Sequence, residues 1–252
     1  MGTGQIGAIA LALGALLAVF LVADQVAALR LRSDVITATV RAVVQMAAVG
    51  TVIRVVFATP ALAPAYLLVM LAAAGFTSGR RLRPLPRAWA AATAAITSGA
   101  ALAVAVIVAC RAVPVDARHV VPLTAQLIGG AMTATTLSGQ RFVDQVHASW
   151  EEVEGWLAIG ASAADAVRSH GRLAARRALV PALDQTRNVG LVVLPGAYVG
   201  LLLAGASPLD AGKLQLLVLI GLLAAEAVAT VVVTRLLGPQ LGRARPKPDS
   251  GT

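Results

Sequence analysis

Stretches of about 20 apolar residues recur along this chain, and a helix of that length is what it takes to cross the hydrocarbon core of a bilayer. The first covers residues 6–28 and carries only Asp24 near its end. Others follow at 35–57, 61–76, 88–109, 120–137, 189–204 and 214–237. The pattern predicts an all-α, polytopic membrane protein of about seven transmembrane helices. Of 252 residues, 58% are hydrophobic and 13% charged. Soluble domains carry about 25% charged residues, so a water-facing globule is excluded. Disorder is excluded for the opposite reason, because low hydrophobicity is what prevents collapse. Met1–Gln5 holds no Lys or Arg and the first apolar stretch is long, so it reads as a span and not a cleaved leader.

Charge sets the orientation. Lys and Arg number 21 against 12 Asp and Glu, a net +9. Alternate connections hold Arg30 and Arg32; Arg80, Arg81, Arg83 and Arg87; Arg141, Arg168, Arg172, Arg176 and Arg177; and Arg243, Arg245 and Lys247. The intervening ones hold only Arg111, Arg118 and Lys213, with Arg54 at a boundary. This bias places the basic connections in the cytoplasm and the N-terminus outside. The excess charge is thus a topology signal, with the lipid bilayer and not nucleic acid as its partner. The organisation expected is one transmembrane domain over 1–237, including a cytoplasmic hairpin over 138–180, and a short basic tail over 238–252.

That hairpin is too polar for lipid and rich in helix formers. From Asp144 to Ile159, Val146, Trp150, Val153, Trp156 and Leu157 recur at three- and four-residue steps, the period of an amphipathic helix. Gly160 can take a left-handed C-cap, and Ser162 with Asp165 three residues on reads as the N-cap of the next helix. Such a hairpin can lie on lipid head groups or dock a partner through Trp156 and Leu157.

Within the spans, Leu194-Pro195-Gly196 interrupts the sixth, where proline should kink the helix, and Gly196 and Gly200 form a small-residue face. Freed carbonyls at such a break can line a transport path. Arg41 and Gln45 share a face about 10 Å into the second span. Glu226 lies midway along the last, where an ionisable group is costly; Arg41 can either snorkel to the cytoplasmic surface or pair with Glu226, and its position leaves both open. Asp184 and Arg187, three apart, should pair with each other. Ser207-Pro208-Leu209-Asp210 reads as a helix start. The chain has one cysteine, Cys110, and His119, His147 and His170 are dispersed, so no metal-ligand set and no catalytic constellation is expected. No G-x-x-x-x-G-K-[ST] occurs, so no P-loop and no ATPase activity is expected of this chain.

The run Glu154-Gly155-Trp156-Leu157-Ala158-Ile159-Gly160-Ala161-Ser162 resembles the EAA coupling loop of ABC-transporter permeases, which places a Glu six residues before a Gly. Arg41-Ala42-Val43-Val44-Gln45, Leu157–Ser162, Leu194-Pro195-Gly196 and Gly205-Ala206-Ser207-Pro208-Leu209-Asp210 occur in order over 35–235. This ordered set resembles the Fet-type permease family, which includes plant aluminium-tolerance half-transporters. The resemblance implies the permease subunit of an ABC exporter in the plasma membrane of a bacterium, working as a homodimer. It binds no cofactor itself, and ATP-Mg sits on a separate cytoplasmic ATPase. The cargo implied is iron or another metal. Glu151, Glu154, Trp156, Leu157, Gly160, Ala161 and Ser162 would dock the ATPase. Arg41, Gln45, Thr133, Pro195, Gly196, Gly200 and Glu226 would line or gate the path. The alternatives are an ion-coupled secondary transporter using Glu226 and Arg41, and a membrane scaffold that transports nothing.

Overall fold

A computed structural model describes residues 3–82 and 85–245, and every regular element among them is a helix. Arg83 and Lys247, which count in the charge bias, lie outside the described residues, as do residues 246–252 of the expected tail. By internal contacts the chain divides into two units, Met1–Ala58 and Thr59–Thr252.

The first unit is two long helices, α1 (Thr3–Val26) and α2 (Arg32–Ala58). Their apolar side chains are exposed along almost their whole length, as lipid-facing helices require. Asp24 closes the turn between them. Its Oδ1 accepts the Leu31 N–H at 2.8 Å, its carbonyl accepts the Leu29 N–H at 3.1 Å, and the residue is buried. The acid that interrupts the first apolar stretch therefore sits in the last turn of α1 and holds the connection after it, satisfying donors that lipid would leave unpaired.

The second unit opens with a 3-10 turn, Pro60–Leu62, and continues through α3 (Ala63–Arg81), α4 (Ala88–Ala109) and α5 (Ala117–Ala148). Four short helices follow: α6 (Trp150–Ala158), α7 (Ala163–Ala166), α8 (Arg168–Ala178) and α9 (Val180–Arg187). The last two are α10 (Gly196–Leu203) and α11 (Pro208–Leu241). Helices α4, α5 and α11 form the centre, with α3 packed on α4 and α5. Alanine makes this closeness possible: Ala92, Ala95, Ala225 and Ala229 are fully buried. At Gly99 a Cβ would collide with the Ala225 carbonyl of α11, so the two backbones touch. Lipid gives helices no hydrophobic reason to associate, and close backbone approach supplies the attraction instead. Ser78 of α3 adds a polar tie, 2.8 Å from Thr136 Oγ1 and donating to the Met132 carbonyl at 3.3 Å.

Two helices differ from the sequence reading. The span expected over 120–137 runs on without a break to Ala148, so the first half of the hairpin extends α5 and the turn falls at Ser149. Ser138, polar enough to suggest the end of the span, is buried and donates to the Ala134 carbonyl at 2.7 Å, inside the helix. The stretch over 189–204 is not a continuous helix kinked at Pro195. After α9 the backbone leaves helical geometry: the Asn188 carbonyl accepts the N–H groups of Leu191, Val192 and Val193, and Gly190 sits at φ +81°. Pro195 is then the N-cap of the eight-residue α10. Six helices are long and apolar enough to cross a membrane among the described residues. The stretch over 189–204 is not among them. The chain that leads into it runs back along α11 in the opposite direction, α8 beside residues 231–238, α9 beside 222–226 and the irregular segment beside 212–216.

The helix start read at Ser207 is present. Ser207 Oγ accepts the Asp210 N–H at 3.1 Å and donates to Asp210 Oδ2 at 2.7 Å, while Lys213 pairs with Asp210 at 3.0 Å.

Candidate functional site: a supported hairpin and a membrane cavity

The hairpin is built on one core. Phe142 and Val146 of α5, Val153 of α6, Ala166, Val167, Ala174 and the end of α11 at Val233, Leu237 and Leu241 are all buried together. Trp150 and Leu157 pack against them. At the turn, Gly160 has φ +93°, the Gly160 N–H donates to the Leu157 carbonyl and the Ala161 N–H to the Trp156 carbonyl, each at 3.0 Å. This is the left-handed cap expected of Gly160. Ser162 then accepts the Asp165 N–H at 3.2 Å and donates to Asp165 Oδ2 at 2.6 Å. Gly242, at the C-cap of α11, leaves no space for a Cβ against the Ala163 carbonyl, so α7 abuts the end of α11. Glu152 of α6 and His170 of α8 approach to 3.6 Å across the hairpin.

The outward face of α6 is what remains. Glu151, Glu154, Gly155, Trp156 and Ile159 are exposed, Trp156 at 47% and Ile159 at 76%. Of the two anchors expected from spacing, Trp156 faces out, whereas Leu157 turns inward onto the core. Ile159, which the spacing did not mark as an anchor, follows three residues after Trp156 and is the more exposed. The result is an exposed apolar pair beside the acids of α6, on a hairpin whose other side is buried in the core.

A cavity of about 380 Å³ opens between the middle of α5, the middle of α11 and α9. It brings together two expected path residues, Thr133 and Glu226, and adds Gln126 and Gln185. Thr133 donates to the Gly129 carbonyl at 3.1 Å, which leaves oxygen lone pairs as acceptors. Gly130 makes the room: a Cβ there would stand 2.9 Å from Glu226 Oε1. The glutamines could not be found by hydropathy, since Gln126 hides in an apolar stretch and Gln185 sits on a helix only the structure reveals. Asp184 and Arg187 on α9 pair at 3.7 Å, as their spacing suggests.

Other expected residues lie elsewhere. Pro195 lines a second hollow of about 270 Å³ with Tyr198 and Gln215, whose Oε1 is buried without a partner. Nothing approaches the position a Cβ would take at Gly196 or Gly200 within 4 Å, so among the described residues of the second unit no helix packs on that small-residue face. Arg41 and Gln45 share an exposed face of α2, in the first unit. Among the described residues, no three His, Cys, Asp or Glu side chains gather in a metal-ligating group.

Residues 7–241 match the signature of UPF0014, an uncharacterised protein family. The chain belongs to that family. Rice UPF0014 membrane protein STAR2 is 34% identical to it, over 84% of this chain and 75% of its own. Protein ALUMINUM SENSITIVE 3 of Arabidopsis thaliana is 32% identical, over 84% and 78%. The probable iron export permease protein FetB of Escherichia coli is 29% identical, over 82% and 81%. No solved structure matches. As a UPF0014 member the chain is a multi-pass membrane protein, and the matched region contains both the hairpin and the cavity.

Proposed function

We propose that the chain is the membrane-spanning permease subunit of an ATP-driven exporter in the bacterial plasma membrane, powered by a separate cytoplasmic ATPase. The observation that carries this reading is the exposed pair of Trp156 and Ile159 on a hairpin packed into the transmembrane core, in a family whose E. coli member is named as a probable iron export permease. Export subunits need a cytoplasmic lever that is stiff at its base and apolar at its tip. A load on α6 would pass through α7 to the end of α11, where Gly242 and Ala163 abut, and through α8 to α9. Both routes end at the cavity that holds Thr133, Gln126, Gln185 and Glu226.

Transport then follows from alternating access. Closure of the ATPase pair would tilt α11 against α5 and reshape the cavity, and the irregular segment after α9 can move because few helical hydrogen bonds hold it. Two copies of the chain, each with its N-terminus outside, would frame one path. Iron or another metal is the cargo we infer, with the Glu226 carboxylate, the two glutamine amides and the Thr133 hydroxyl as oxygen donors along the way. The chain itself hydrolyses nothing.

Proteoliposomes holding the chain and its ATPase test this directly. ATP-dependent export of ferrous iron, lost in Glu226→Gln and in Trp156→Ala, is the expected result. Transport that proceeds without ATPase or ATP, and that is lost in Glu226→Gln alone, would overturn it in favour of an ion-coupled carrier.

A further inference from the structure

A second site lies where α8 runs beside the last third of α11. A cavity of about 450 Å³ is lined on α8 by Arg168, Gly171, Arg172 and Ala175, and on α11 by Val231, Thr234, Arg235 and Gly238, with Phe142 of α5 as a third wall. Each helix contributes positions i, i+3, i+4 and i+7, one face of a helix. Three guanidinium groups from two elements thus border one hollow that small residues keep open. Asp165 also lines it and pairs with Arg168 at 3.6 Å, so the formal balance of the lining is three positive against one negative. Thr234 already donates to the Thr230 carbonyl at 2.8 Å, which leaves the arginines as the donors.

The height of this cavity in the membrane can be read from α11. Between Lys213 and Arg235 the only ionisable residue is Glu226. That interval is about 30 Å of helix, the thickness of a bilayer hydrocarbon core. Arg235 therefore stands at the boundary between acyl chains and head groups, with α8 beside it. A phosphate at that depth meets guanidinium forks suited to bidentate hydrogen bonding, and Phe142 and Val231 offer apolar surface to what the phosphate is attached to. Basic hollows between transmembrane helices at this level suit anionic head groups.

We propose that the cavity between α8 and α11 is a binding site for an anionic phospholipid, with the phosphate held by Arg172 and Arg235 and the glycerol and upper acyl chain against Phe142 and Val231. A lipid seated there joins the hairpin to α11 and would tie the position of the lever to the composition of the leaflet. The site is separate from the exposed apolar pair of α6 and from the Glu226 cavity, and it does not depend on what is transported.

Native mass spectrometry of the purified full chain, titrated with phosphatidylglycerol and with phosphatidylcholine, tests it. Phosphatidylglycerol should be retained selectively, and Arg172→Gln with Arg235→Gln should reduce that preference about thirtyfold, two cations at the surface potential of a head group. Ala175→Leu keeps every charge but fills the cavity, so it should abolish retention while gel filtration stays unchanged. Arg243→Gln with Arg245→Gln removes equal charge outside the cavity and should shift the preference by less than about twofold. Equal loss in that control would overturn the proposal, since diffuse charge would suffice. So would full retention in Ala175→Leu, or complete displacement of the lipid by about 10 mM inorganic phosphate, which would mark a free-anion site instead.

Discussion

Gly242 and Gly155 are both glycines near the hairpin, and the sequence does not distinguish them. The structure does. Gly242→Ala would drive a methyl into the Ala163 carbonyl, an overpacking cost of about 1–3 kcal/mol, whereas nothing lies within 4 Å of the position a Cβ would take at Gly155. Gly155→Ala, in an exposed helix interior, should stabilise by up to about 1 kcal/mol. Thermal unfolding of the two variants in one detergent should move the midpoint in opposite directions. Gly160→Ala should cost about 1–2 kcal/mol, because its φ of +93° strains any residue with a Cβ. Asp116 supplies a pH dependence. The His119 side chain, and to a lesser extent its backbone N–H, holds the Asp116 carboxyl below its ordinary value at the start of α5. A lowered carboxyl pKa stabilises the folded state above the ordinary value and loses that contribution as the pH falls through the lowered one. Hydrogen exchange in the first turn of α5 should therefore separate Asp116→Ala from the parent chain at neutral pH, and the difference should vanish in acid.

At the scale of elements, six of the expected spans and both caps around the hairpin were legible because each rests on a local rule. A run of apolar residues fixes a long helix, and Gly160 and Ser162 carry their own cap chemistry. The stretch over 189–204 defeats that logic. Hydropathy counts apolar side chains and ignores where backbone hydrogen bonds go, and here Asn188, Gly190 and Pro195 divert them. Apolar side chains and broken backbone coincide where the segment lies against α11, a distinction only tertiary contact reveals. The chain must still reach the far end of α11 between α8 and Ser207. With Cys110→Ala as background, Arg176→Cys and Ala204→Cys should react with an impermeant maleimide from opposite faces of the membrane. Labelling of both from one face would contradict a crossing by this segment.

For the whole molecule, the central question is how an external motor could move a cavity about halfway through a membrane. The sequence places Glu154, Trp156 and Gly160 on a hairpin and Glu226 in a span, but it cannot say that the hairpin core and the end of α11 are one packed body. The buried set of Val146, Val153, Val167, Leu237 and Leu241 makes that link, and it also explains why Trp156 is left outside it. Glu226→Gln should therefore leave ATPase binding intact while abolishing transport, since the cavity and the docking face share no residue. The most direct measurement is the affinity of the partner ATPase for the purified chain in nanodiscs. Trp156→Ala with Ile159→Ala should weaken binding by about thirtyfold or more, the scale of an aromatic anchor, with Glu226→Gln unchanged. Unaltered affinity in the double variant would contradict the account, because the exposed tip of the hairpin would then not be where the motor holds the protein.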